Sequence, residues 1–197
     1  HRDTDRNDTR HERGLRPEEQ ATDYVSAFGD GPFSQQQLDF FAQNGIGTAA
    51  SPRIPGARPG LYAITLTGAE RSFTYWRADS AARKLADEPG LLKKSLENKA
   101  LIYFSGITLA ILEPGARENL FAAITGARAA GSLVAFDPNY RPRLWPSLEE
   151  AREAISTASK LADICLPTFP DEQALFGDAN LEATANRLAS LGVKEIV

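Results

Sequence analysis

The chain has 197 residues, 42% of them hydrophobic and 24% charged, with a formal net charge of −4, the profile of one soluble folded domain with a real core or of part of a larger one. No basic face is evident, which argues against a nucleic-acid partner, and the longest apolar run, Ala100 to Leu112, is interrupted and too short to span a bilayer. Both histidines, His1 and His11, lie near the start, which removes histidine-based triads, HExxH zinc proteases and Cys/His zinc cages from the folded part.

Eleven of the first twenty residues are charged, and Leu15 is the only large apolar one among them. Such a segment cannot bury enough surface to offset its ordering entropy. Residues 1–20 are expected to be a disordered head, or not to be the natural beginning of the domain that follows. These residues do not read as a charged-then-apolar leader, so secretion is not expected. Cys165, the only cysteine, sits in the apolar stretch Ile164-Cys165-Leu166, where a buried thiol and a cytoplasmic setting are expected.

From Asp23 the pattern changes. Tyr24 to Phe28 reads as a short strand ending at Gly29-Asp30-Gly31. Ser34 and Gln37 have the spacing of a capping box, and Leu38, Phe40 and Phe41 give the next helix an apolar face until Gly45. Leu61 to Thr67 and Ser72 to Arg77 read as strands, joined by the turn Thr67-Gly68-Ala69-Glu70. Helical segments follow at 79–86 and 91–97, then a buried strand over Ala100 to Phe104 that runs into Ser105-Gly106. Pro114 opens a long helix ending near Gly131, its missing N–H harmless at the first helical position.

Leu133 to Phe136 reads as a buried strand that breaks into Asp137-Pro138-Asn139-Tyr140-Arg141-Pro142-Arg143-Leu144-Trp145. Ser147 and Glu150 form a second capping box, opening a helix to about Leu161. A strand at 163–166, helices at 171–176 and 181–191, and a last strand at 193–197 complete the chain. This alternation predicts an α/β fold, a parallel sheet with helices on both faces, with the hairpin at 61–77 standing apart.

Two stretches carry candidate chemistry. In open parallel sheets ligands bind where loops leave the C-terminal strand ends, so the polar, proline-stiffened loop at 137–145 is either a site or a solvated βα connection. In the hairpin, Tyr75 and Arg77 share one face and Trp76 takes the other, with Tyr62 on the paired strand. An arginine beside phenols suits a polyhydroxylated anion; the alternative is an aromatic face packed on the body with Arg77 stacked on a ring.

Gly60-Leu61-Tyr62, Ser72-Phe73-Thr74-Tyr75-Trp76-Arg77, Tyr103-Phe104-Ser105-Gly106-Ile107 and Phe136 to Trp145 together resemble the 2-keto-3-deoxygluconate kinases. These are a branch of the ribokinase/PfkB carbohydrate kinases, and the resemblance runs from about residue 21 to the end. It implies a three-layer αβα, ribokinase-like parallel sheet with a small β-lid at about 58–78, incomplete at both ends. It implies transfer of the γ-phosphoryl group of Mg·ATP to the sugar acid. Tyr62, Tyr75, Trp76 and Arg77 would belong to the lid over the substrate. Arg141 would reach both substrate and ATP phosphates, with Asn139, Tyr140 and Thr168 on the nucleotide side. Pro167 to Asp171 falls where the wider family has Asn-x-x-Glu near magnesium and phosphate, with Thr168 and Asp171 as substitutions.

The family's Gly-Gly-x-x-x-Asn segment and its Gly-Ala-Gly-Asp motif, which carries the catalytic aspartate, do not occur in these residues. The chain is therefore expected to hold no catalytic base of its own and to show little or no turnover alone. Two further readings stay open: a non-catalytic remnant that binds a sugar acid or another subunit through the lid, and a relative with a neutral substrate such as a fructokinase. Self-association through the lid is a further expectation.

Overall fold

The computed structural model describes residues 21–197 apart from residue 69, so the charged head lies outside the described residues. The organising element is a four-stranded parallel sheet of β7 (Leu101–Ser105), β8 (Leu133–Asp137), β9 (Ile164–Cys165) and β10 (Glu195–Ile196), in the order β10-β9-β8-β7. Its register runs from Leu101 opposite Leu133 to Ser105 opposite Asp137, and pairs Phe136 with Cys165. Parallel pairing aligns the C-terminal ends of all four strands along one rim.

Along β8 the consecutive residues Val134, Ala135 and Phe136 are all buried. Side chains alternate between faces, so both faces of β8 are covered, as in an αβα stack. β7 differs: Ile102 and Phe104 are buried while Leu101 and Tyr103 are exposed. One face of β7 is thus open.

The helices follow from their sequences. α4 (Pro114–Ala129) begins on its proline. α5 (Leu148–Leu161) is capped by Ser147, whose hydroxyl accepts from the Glu150 amide at 3.1 Å, and it buries Ala151, Ala154, Ile155 and Ala158. α2 (Pro89–Leu96), α6 (Phe169–Phe176) and α7 (Leu181–Ser190) match the expected positions to within about two residues. The core is centred on Phe136, Ile124, Ile155, Leu109, Leu175 and Leu188, each fully buried.

Three local expectations are corrected, and one helix was not expected. Tyr24 to Phe28 is not one strand; it is bracketed by the two-residue strands β1 (Thr22–Asp23) and β2 (Phe28–Gly29), which pair in parallel with β3 (Ile46–Gly47) and β4 (Arg53–Ile54). Ser34 does not cap α1 (Pro32–Gln43), because Pro32 starts the helix earlier and Gly31 is the cap. The buried Ser34 hydroxyl instead accepts from the Gly29 amide at 3.1 Å. Residues 81–84 form a 3-10 turn rather than an α-helix. After β7, the chain enters a short helix α3 (Gly106–Ile111) that sequence pattern did not reveal.

The lid is an antiparallel hairpin of β5 (Leu61–Thr67) and β6 (Glu70–Trp76), with Tyr62 opposite Tyr75. It forms its own sheet, apart from the main one. No helix among the described residues is long and apolar enough to cross a membrane.

Candidate functional site

The rim of the parallel sheet assembles the first group of residues. β8 ends at Asp137 and the chain turns at once. Asn139 takes a left-handed conformation, φ 34°, which asparagine tolerates better than most residues. The turn is held from beside: a Cβ on Gly106 would lie 1.9 Å from the Pro138 carbonyl oxygen, so only glycine lets α3 approach the loop this closely. Asp137 accepts from the Tyr103 hydroxyl at 3.2 Å. Although the residue is largely exposed, partial desolvation of its hydroxyl and then the Asp137 charge push that phenol above its ordinary pKa.

Arg141 leaves this loop half exposed and meets α6. Its Nη1 donates to the Tyr140 carbonyl at 2.7 Å and to Asp171 Oδ2 at 3.0 Å. The Thr168 hydroxyl donates to the same Asp171 oxygen at 2.9 Å. Asn139, Tyr140, Arg141, Thr168 and Asp171 therefore come together across the ends of β8 and β9. Tyr140 is buried in the hydrophobic core, so it faces the rim through its carbonyl rather than its phenol. Trp145, also in the motif run, packs in the core with the Arg117 guanidinium 5.1 Å from its ring.

Two buried polar atoms lack a hydrogen-bond partner among the described residues: Asn139 Oδ1 and Glu172 Oε1. An unpaired acceptor buried at the rim fits a ligand that carries N–H or O–H donors. Glu172 has turned inward. Its other oxygen accepts from Arg187 Nη2 at 2.5 Å, and Arg187 also binds Asp178 and lies 3.8 Å from the centre of the Phe176 ring. Burial raises the Glu172 pKa although Arg187 opposes the shift, whereas the Asp178 carboxyl is held below its ordinary value by hydrogen bonds from Arg187. Below the rim, burial drives the Cys165 thiol up to about 12, far from a reactive thiolate.

The second group lies on the lid. Tyr62, Phe73 and Tyr75 form an aromatic cluster with ring centres 6.1 to 6.2 Å apart, and the Arg77 guanidinium sits 4.3 Å over the Tyr75 ring. Trp76 points the other way, as strand alternation requires. It lines a cavity of about 890 Å³ with Phe33, Phe40, Arg58 and Leu61. Tyr62, Tyr75 and Trp76 are all exposed. Among the described residues no hydrogen bond joins this group to Arg141, whose side-chain partner is Asp171. The Gly106–Pro138 approach and the Tyr103–Asp137 bond were not anticipated; the Ser-Gly pair after a buried strand was the available signal for the first.

A family profile of the pfkB family carbohydrate kinases matches residues 15–197. The chain is 40% identical over 177 residues to the 2-dehydro-3-deoxygluconokinase of Escherichia coli (strain K12), an alignment that covers 88% of this chain and 57% of that protein. Among solved structures, the 2-dehydro-3-deoxygluconokinase of Thermotoga maritima superposes with a TM-score of 0.72 at 25% identity, over 86% of this chain and 53% of that one. The fructokinase of Xylella fastidiosa, solved with bound ATP, shares the fold with a TM-score of 0.73 at 24% identity, over 88% of this chain and 54% of that one. The chain thus spans a little over half the length of these relatives. With its parallel sheet, separate lid and proline-stiffened arginine loop at the strand ends, the chain belongs to the pfkB family of carbohydrate kinases.

Proposed function

We propose that this chain supplies the central part of a sugar-acid kinase that transfers the γ-phosphoryl group of Mg·ATP to 2-keto-3-deoxygluconate. The observation that carries the reading is Arg141, a half-exposed guanidinium at the C-terminal rim of the sheet, in a loop shared with Asn139. The 40% identity to an enzyme of that name supports the choice of substrate.

Phosphoryl transfer depends on charge neutralisation and in-line positioning more than on covalent chemistry by the protein. Arg141 meets that demand where phosphates and substrate adjoin. On the nucleotide side, Asn139 Oδ1 accepts a donor from ATP, Tyr140 contributes its backbone, and Thr168 lies within reach of the phosphates. On the other side Arg77 holds the carboxylate of the sugar acid and Tyr62 and Tyr75 bond its hydroxyls, while the exposed Trp76 gives the hairpin an apolar surface to lay over the substrate. Lid closure excludes water that would otherwise intercept the phosphoryl group. Magnesium is carried chiefly by the phosphates, as is usual for this ion. A cytoplasmic setting fits these substrates.

The test is calorimetric titration of the chain with 2-keto-3-deoxygluconate and with D-fructose, alongside an ADP-release assay. Binding of the sugar acid in preference to fructose, with little or no ADP from these 197 residues alone, supports the reading. Preference for fructose would assign the chain to a neutral-sugar kinase. Robust, sugar-acid-dependent ADP release abolished by Arg141→Ala would show that the catalytic groups are present after all.

One observation favours a different reading of the hairpin, in which the face that carries Tyr62 and Tyr75 is taken by a second copy rather than by the sugar acid. The hairpin strands expose Tyr62, Ile64, Leu66, Phe73 and Tyr75 on one face, and a two-stranded hairpin is marginal in water by itself. Association of two copies through this face would cover it, and light scattering on the chain reads that directly.

A further inference from the structure

Asp171 has no assigned task in the reading above, yet its carboxylate makes the side-chain contact that ties Arg141 to another element. Three features of the geometry bear on what that contact does. First, both bonds of Arg141 use Nη1, to the Tyr140 carbonyl and to Asp171 Oδ2. Among the described residues nothing accepts from its Nε or Nη2, which form the opposite edge of the guanidinium fork. That edge is the one suited to bidentate recognition of a carboxylate or phosphate.

Second, Asp171 is itself fixed. The Thr168 hydroxyl donates to the oxygen that Arg141 uses, and Asp171 lies in the first turn of α6, where the helix dipole favours a carboxylate. Third, the next residue locks the helix from its inner side. Glu172 is 1% exposed and binds Arg187 of α7, so the register of α6 is set by a buried ion pair. Adjacent carboxylates thus face opposite ways, one gripping the core and one gripping the site arginine.

We propose that Asp171 is a positioning residue for Arg141: backed by Thr168, it holds the Nη1 edge and leaves the Nε/Nη2 edge set to receive an oxyanion. This rests on the kinase reading for the identity of the oxyanion, but not for the orientation of the guanidinium. An unanchored arginine would lose side-chain entropy on binding, whereas one already held loses less. The carboxylate also carries a cost, since it lies near any bound anion; the pairing helps only if orientation outweighs that repulsion.

The experiment separates these effects. Nitrogen-15 NMR of the arginine side chains follows rotation about the Arg141 Nε–Cζ bond in the chain without ligand. Slow rotation in the wild type that becomes fast in Asp171→Ala is the expected result, and equal rates in both would overturn the proposal. The functional arm is a double-mutant cycle on ATP affinity. Asp171→Ala is expected to weaken ATP about tenfold in the wild-type background and to have no further effect in Arg141→Ala. Tighter ATP binding in Asp171→Ala would make the carboxylate a competitor and overturn the proposal. Equal losses in both backgrounds would mean that it acts independently of Arg141, and would overturn the proposal equally. If the wild type binds no ATP, the kinase reading fails while the NMR arm still decides the orientation claim. Urea unfolding of each variant keeps global destabilisation apart from these readouts.

Discussion

A side-chain carbon on Gly106 would overlap the carbonyl oxygen of Pro138, at a separation of 1.9 Å. The start of α3 and the turn after β8 are packed backbone against backbone, so the position of Asn139 and Arg141 depends on one absent methyl group. Gly106→Ala should push the turn away from α3. The expected outcome is a loss of about 1–3 kcal/mol in urea unfolding together with weaker ATP binding. Gly126→Ala, inside α4 with open space at its Cβ position, should instead be neutral or stabilising by up to about 1 kcal/mol.

Asp163 joins three elements. Its carboxylate accepts from Arg128 at 3.0 Å, Lys194 at 2.7 Å and the Val134 amide at 3.1 Å. Burial alone would raise its pKa, but these bonds and the Arg128 charge outweigh burial and hold it at about 2, below the ordinary 3.8. A carboxyl depressed in the folded state stabilises the fold above its unfolded pKa, and the contribution fades as pH falls from about 4 towards 2. Wild type should therefore lose about 2 kcal/mol over that window. Asp163→Asn should be less stable near neutrality and show a smaller acid-induced loss, as urea midpoints across pH would record.

Removing Arg187 strands two carboxylates, Glu172 and Asp178, one of them in the core. Arg187→Ala should cost about 3–5 kcal/mol, more than Glu172→Gln. Because burial favours the neutral form of Glu172, the Arg187→Ala protein should lose stability as pH rises through the carboxylate range. Chemical denaturation at several pH values provides the check.

Cys165 is fully buried, with its thiol pushed up to about 12. It should resist iodoacetamide and Ellman's reagent in the native protein and react completely once urea unfolds the chain. Rapid native-state labelling would contradict the buried position of β9.

Much of the fold was legible because the strongest local signals agree with tertiary packing. The apolar run at 133–136, the Ser147–Glu150 cap and Pro114 each describe one unambiguous element, and each lies where expected. The failures have different causes, one local and one long-range. Ser34 carried a capping pattern, but Pro32 began the helix earlier, which released the hydroxyl to bond the Gly29 amide. α3 was hidden because its need is steric: Gly106 must pass close to Pro138, residues far apart in sequence. The site was legible as a list of residues and not as a geometry. Tyr140 belongs to the motif by sequence, yet its ring is in the core. Asp171 stood as a substitution within a family pattern, and only the fold shows its carboxylate bonded to Arg141.

The central claim is that one guanidinium, Arg141, serves both the nucleotide and the sugar acid, while Arg77 serves the sugar acid alone. Calorimetric titration of wild type, Arg141→Ala and Arg77→Ala with ATP and with 2-keto-3-deoxygluconate tests it most directly. The account predicts that Arg141→Ala weakens both ligands by about 10- to 100-fold, the worth of a lost charge-assisted hydrogen bond, and that Arg77→Ala weakens only the sugar acid. Unchanged affinity of Arg141→Ala for either ligand, or a loss of ATP binding in Arg77→Ala, would contradict it.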